Sequence, residues 1–313
     1  MALRRRALLA AMAGSALAGC RPSAGGGAAA PAASDPAASD PARSDPASEA
    51  PGIPAATPSE PPATTPAPTT PAPAPAGREP TRAELVDRYG GTEPTTWGMD
   101  IAGVITELPG GESATALTFD ACGGPGGSGY DADLIDFLRK RSVPATLFLN
   151  SRWIDANPDV FKQLAADPLF EIGNHGTVHR PLSVSGRSAY GIAGTGGVGA
   201  VYDEVAGNAQ QLARLLGHPV RFFRSGTAHY DDVAVRVVTD LGERVAGFTV
   251  NGDGGATLSA SEVREEITAA RPGSIVICHM NHPGGGTAPG VAAAVPVLLA
   301  AGRRFVRLSD VLR

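Results

Sequence analysis

From about residue 114 onward, short apolar runs alternate with stretches of helical pattern. Thr115–Phe119, Ala145–Leu149, Phe170–Ile172, Arg221–Phe223, Val245–Val250, Ser274–Cys278 and Phe305–Leu308 read as strands. Ala132–Arg139, Asp159–Ala166, Tyr202–Leu216, Asp231–Asp240, Ala260–Ala270 and Val291–Ala300 read as helices between them. This alternation predicts an α/β domain, a parallel sheet with helices outside. At this length a closed or nearly closed barrel competes with an open doubly wound sheet, and periodicity alone does not choose between them.

The N-terminal third follows a different pattern. Arg4-Arg5-Arg6 precede an apolar run, Ala7–Ala18, that is too short to span a bilayer and reads as a cleaved export signal. Leu17-Ala18-Gly19-Cys20 resembles a bacterial lipobox, which implies cleavage after residue 19 and a lipid on the Cys20 sulfur. The expected location is therefore an exported lipoprotein, anchored to a membrane and facing the periplasm or the cell surface. Arg21 follows that cysteine in place of the aspartate linked with inner-membrane retention, which favours onward export. Residues 20–83 are dominated by Pro, Ala, Ser and Thr and lack the apolar side chains needed to offset ordering entropy. They are expected to form an extended spacer. That leaves residues 84–313, roughly 230, for one domain.

Charge and cysteine content exclude some classes. The formal net charge is −5 and the folded region has no basic cluster, so nucleic acid is not an expected partner. Beyond Cys20 only Cys122 and Cys278 remain, too few for a disulfide scaffold.

Polar residues gather at one kind of place. Asp120, Asn174-His175, Arg224, Asn251 and His279 each fall at or just past the C-terminal end of a predicted strand. In a parallel barrel those ends share one rim, where substrate sites form. His175 and His179 are four residues apart, a spacing that lets two imidazoles share a divalent cation. Taken singly, Asp120 is equally a helix cap, and His279 a hydrogen-bonded core residue.

Taken together, the segments resemble the polysaccharide deacetylase (NodB-homology) family. Thr118-Phe119-Asp120 is similar to its first motif and Gly173–His179 to its second. Phe223–Gly226, Thr249–Asp253 and Ile275–His279 occupy the places of the third, fourth and fifth. The resemblance implies a distorted (β/α) barrel of about seven strands and a divalent metal, with zinc the expected ion. It implies His175 and His179 as metal ligands, Asp120 as general base, His279 as general acid, Arg224 orienting the base and Asp253 supporting His279. The implied activity is removal of N-acetyl groups from an envelope polysaccharide, peptidoglycan first. A backbone N–H near Gly226 or Thr227 is expected to assist the oxyanion. A metal-dependent hydrolase of small amides or O-acetyl esters is a further possibility.

The sequence departs from that pattern at one decisive position. The family's second adjacent aspartate, its third metal ligand, is replaced by Ala121. Three repairs are open: Asp120 turns to the metal, Cys122 supplies a thiolate, or water completes the shell. The first is preferred, so Asp120 joins His175 and His179 in the expected ligand set. Ala121 also supports a rival expectation, a non-catalytic glycan-binding lipoprotein descended from a deacetylase. After the histidine pair, residues 183–201 form a long Gly-rich insertion, expected to be a mobile loop beside the cleft with Arg187 and Tyr190 facing substrate. His229 and His282 are further histidines near strand ends, and Trp97, Met99 and Tyr130 are expected to offer a sugar-stacking surface.

Overall fold

The computed structural model describes residues 78–313. The export signal, Cys20 and the Pro/Ala-rich stretch through residue 77 lie outside the described residues. The helices are α1 (Arg82–Tyr89), α2 (Ala132–Arg141), α3 (Ser151–Ala156), α4 (Pro158–Ala165), α5 (Val198–Leu216), α6 (Asp232–Asp240), α7 (Ala260–Thr268), α8 (Thr287–Ala300) and α9 (Leu308–Val311). The strands are β1 (Trp97–Gly98), β2 (Val104–Ile105), β3 (Thr115–Ala121), β4 (Ala145–Leu149), β5 (Phe170–Asn174), β6 (Phe222–Phe223), β7 (Tyr230–Asp231), β8 (Arg244–Ala246), β9 (Val250–Asn251), β10 (Ile275–His279) and β11 (Phe305–Val306).

Nine strands form one sheet in the order β2-β8-β6-β5-β4-β3-β10-β9, with β11 added on β3. Every pairing in it is parallel. The expected single strand Val245–Val250 is in fact two strands. β8 lies toward one edge and β9 at the other, with residues 247–249 between them. Gly247 N–H donates to Ile105 O at 2.8 Å and Thr249 N–H to Ile275 O at 3.0 Å, so three residues bridge the seam of the distorted barrel. The physical reason for the break is crowding: a Cβ at Gly247 would press on Val104, and its carbonyl is turned to accept from Arg224.

β3 is buried along its whole length, and its alternation sorts two environments. Leu117, Phe119 and Ala121 join the helix-side core with Leu134, Leu138 and Trp153. Ala116 faces the barrel interior with Phe148, Phe222, Ala246 and Ile275. Thr118 and Asp120 continue that inner row towards the rim.

Local signals explain two shifted boundaries. α1 begins at Arg82 because Thr81 and Glu84 form a reciprocal capping box; its first residues lie inside the stretch assigned to the spacer. α8 begins at Thr287, before the expected Val291, since Pro289 falls within its first turn, where its missing N–H costs nothing. Gly290 in that turn sits where any Cβ would overlap Val263 of α7, so the two helices pack closely.

Candidate functional site

The centre of the barrel mouth is a buried guanidinium. Arg224, fully buried just after β6, donates from Nε to Ala246 O (3.0 Å) and from Nη2 to Gly247 O (2.9 Å). Its Nη1 donates to Thr118 Oγ1 and to Asp120 Oδ1, both at 2.8 Å. The guanidinium also lies 4.3 Å over the Phe148 ring. A charge this far from water is tolerable only when paired and hydrogen-bonded, and here it is both. Burial pushes the Asp120 carboxyl up, but the charges of Arg224, His175 and His279 outweigh it and hold the group below its ordinary value.

His279 ends β10 in direct register with Asp120. Its Nδ1–H donates to Asp253 Oδ1 at 3.0 Å, and its backbone N–H to Asp253 Oδ2 at 2.6 Å. Asp253, wholly buried, also accepts from Thr287 Oγ1 at 3.0 Å. Burial opposes charge on His279, yet the Asp253 bond and the Cys122 thiol outweigh it and raise the imidazole well above its ordinary value. Asn251, expected at the rim, is exposed and accepts from Gly254 N–H in a turn; Asp253 reaches the site in its place.

The histidine pair leaves β5 on a loop held from two sides. Asn150 Nδ2 donates to His175 O and Gly176 O. Glu204, buried on α5, accepts from Val178 N–H and Arg180 N–H, the amides flanking His179. His179 itself has φ +65°, a left-handed conformation that a histidine adopts at a cost, and the Glu204 clamp maintains it. Glu204 gave no warning in the sequence, because nothing in a helical Asp203-Glu204 pair shows which acid turns inward. Asn174 faces away from the site: it accepts from Gly176 N–H and donates to Glu243 Oε1.

His175 Nδ1–H donates to Arg224 O at 2.9 Å, which turns Nε2 towards the site. That Nε2 lies 3.8 Å from Cys122 Sγ and 3.6 Å from Asp120 Oδ2. His179 Nε2 is buried without a hydrogen-bond partner. One ligand atom each from Cys122, His175 and His179 falls within 4.8 Å of the others. Two donors about 2.0–2.3 Å from one tetrahedral ion stand roughly 3.5 Å apart, so the observed spacing accommodates such an ion. Burial pushes the Cys122 thiol up, but the neighbouring imidazoles of His175, His179 and His279 outweigh it and hold the thiol well below its usual range. A thiolate among imidazoles with an orphaned nitrogen is a donor set suited to a soft divalent metal.

Strand alternation accounts for the cysteine. Ala121 points into the helix-side core, whereas Cys122 follows Thr118 and Asp120 on the inner side. The next residues turn sharply: Gly123 and Gly124 both have positive φ, and a Cβ on Gly123 would overlap the Trp153 backbone. Gly226 is equally constrained, since a Cβ there would overlap the His179 ring; Thr227 Oγ1 beside it is buried without a partner. Of the aromatics, Tyr130 packs on Trp153 against the helix-side core, Trp97 meets His229, and Met99 is exposed. His282 lies against Asn281.

The rim of the parallel barrel thus carries an Arg-held aspartate, an Asp-held histidine and a histidine pair. Residues 108–246 match the family profile described as polysaccharide deacetylase. A peptidoglycan-N-acetylglucosamine deacetylase of Bacillus cereus is 25% identical over 223 residues, covering 69% of this chain and 96% of its own. Among solved structures, a carbohydrate esterase family 4 pseudoenzyme from Bacillus anthracis matches with a TM-score of 0.56 at 20% identity, covering 68% of this chain and 70% of that one. PdaA of Bacillus subtilis, a family 4 carbohydrate esterase, matches with a TM-score of 0.55 at 18% identity, covering 74% of this chain and 88% of its own. These two structural likenesses establish the fold.

Proposed function

We propose that this protein is a metal-dependent hydrolase that removes N-acetyl groups from an envelope glycan, with peptidoglycan the first substrate to test. The observation that carries the proposal is the convergence of Asp120, held by Arg224, and His279, held by Asp253, beside the Cys122–His175–His179 cluster. Cys122, His175 and His179 would hold the metal, and the thiolate favours zinc. Such an ion acts as a Lewis acid towards an amide carbonyl and lowers the pKa of water.

The protein groups do the proton work. Asp120, kept ionised, takes a proton from the attacking water, and Arg224 holds its carboxylate in one orientation. His279, kept protonated by Asp253, gives a proton to the departing amine nitrogen as the C–N bond breaks. Acetate and a free amino sugar result. Asp120 thus serves as base, with Cys122 in place of Asp120 in the ligand set.

A second reading, a glycan-binding protein without catalysis, is favoured by Ala121, which occupies the family's missing ligand position. Metal content and acetate release, measured together on the purified protein with peptidoglycan and N-acetylglucosamine oligomers, separate the two. Near-stoichiometric metal with acetate release abolished in His175→Ala supports the hydrolase. A folded, metal-free protein that binds glycan and releases no acetate overturns it.

The export signal and Cys20 support an exported, lipid-anchored protein whose Pro/Ala-rich spacer lets the domain reach nearby polymer. Labelling with radioactive palmitate, lost in Cys20→Ser, tests the anchor.

A further inference from the structure

The long insertion after the histidine pair builds an aromatic platform that the chemistry above does not use. Leu182 N–H donates to His229 O at 3.0 Å, and Asp231 N–H to Leu182 O at 2.9 Å, so the chain enters the insertion alongside the His229–Asp231 segment. On the other side β7 pairs with β1, placing Trp97 opposite Asp231. The His229 ring is consequently flanked by Trp97, 5.7 Å away, and by Tyr190, 5.2 Å away and edge-on. The Arg187 guanidinium lies 5.3 Å over the Trp97 ring. Gly226 touches His179, and three further residues reach His229, at most about 11 Å of backbone. The platform therefore adjoins the candidate centre.

Two features set these side chains apart from ordinary surface residues. Tyr190 is 75% exposed and sits at the tip of a tight turn with φ +52°, followed by Gly191 at φ +76°. Reciprocal Ala189 and Ile192 hydrogen bonds close that turn. Gly, Asn or Asp would occupy the tip more cheaply, and a strained aromatic held out to solvent contributes nothing to the core. The loop is closed at its base by Thr195 and Ser183, which exchange bonds of 2.7 and 2.9 Å. Arg187, in turn, has no carboxylate partner among the described residues, and its stacking on Trp97 leaves the edge donors free.

We propose that Trp97, Arg187, Tyr190 and His229 form a subsite for a carboxylate-bearing pyranose of the glycan, next to the sugar being deacetylated. The aromatic rings receive the apolar C–H face of the sugar, and the guanidinium forks onto its carboxylate. The subsite makes an acidic glycan, and not a neutral N-acetylglucosamine homopolymer, the preferred substrate. This deepens the deacetylase reading and rests on it for the identity of the neighbouring sugar.

The test is binding, which is read separately from acetate release. The probes are an alternating N-acetylglucosamine–N-acetylmuramic acid tetrasaccharide and neutral chitotetraose, titrated calorimetrically into the full protein. Wild type and His175→Ala should both bind the acidic tetrasaccharide about tenfold or more tightly over the neutral one, the range of one charge-assisted pair. Arg187→Gln should bring the ratio close to one, and Arg187→Lys should restore it only in part. Tyr190→Ala should weaken both ligands, with Tyr190→Trp retaining affinity. Equal binding of both probes by wild type, or a preference that survives Arg187→Gln, overturns the subsite even if acetate is released. Arg187-dependent binding without acetate release upholds the subsite and removes only the hydrolase.

Discussion

Cys122 Sγ lies 3.8 Å from His175 Nε2, on the side of β3 that also carries Asp120. On the reading proposed above, a thiolate one residue further along stands in for the carboxylate that Ala121 replaces. Cys122→Ala should therefore lose metal while keeping the fold. Loss of an outer-shell partner already costs ~10–100-fold in metal affinity, so loss of a direct ligand should exceed about 100-fold. Competition with a chromogenic chelator measures it, and unchanged affinity would return the ligand role to Asp120 or water.

Ala121→Asp gives the complementary result. The family pattern suggests that restoring the aspartate restores a ligand, but Ala121 is wholly buried among Leu117, Phe119 and the helix-side core. A carboxylate there has no cation to meet, and an unpaired buried charge costs about 3 kcal/mol or more. The variant should unfold at markedly lower urea than wild type. A stable Ala121→Asp protein with raised metal affinity would mean that the end of β3 can turn over.

Much of the architecture was legible because strand and helix periods differ so plainly in this domain. The strands that became β3, β4, β5 and β10 are long and apolar, and of the polar groups predicted at their ends Asp120, His175 and His279 reach the rim, whereas Asn174 turns away to Glu243. What stayed hidden depends on packing. β1 and β7 are two residues each, with no period to detect. The split between β8 and β9 hinges on Gly247 O accepting from Arg224, a contact 23 residues apart in sequence. Cys122 could be named as a possible ligand, but choosing it over Asp120 required knowing that Arg224 already holds the Asp120 carboxylate.

Asp253→Asn should move the pH dependence of acetate release. His279 must be protonated to act as acid, so activity falls as pH rises through its pKa, which the Asp253 carboxylate raises. With a neutral amide in its place that support weakens, and the alkaline limb should move down by about one unit or more. The carboxamide can still accept from His279, so a fall in maximal rate without any displacement of the limb would show that Asp253 only positions the ring.

Glu243 carries a pH dependence of stability separate from catalysis. Burial pushes its carboxyl up to about 8 from an ordinary 4.5, with Asn174 Nδ2 donating to Oε1 at 2.9 Å and Oε2 left without a partner. Below pH 4.5 both folded and unfolded chains hold the proton. Between 4.5 and 8 only the folded chain does, so stability is lost as pH rises, by up to about 1.4 kcal/mol per unit, and levels off once both states are ionised. Glu243→Gln keeps the Asn174 bond and removes the proton. Urea unfolding at pH 5.5 and 8.5 should show the variant gaining on wild type by a few kcal/mol at the higher pH. Parallel stability profiles for the two proteins would mean that Glu243 ionises in the folded state at its ordinary pH, with water reaching Oε2.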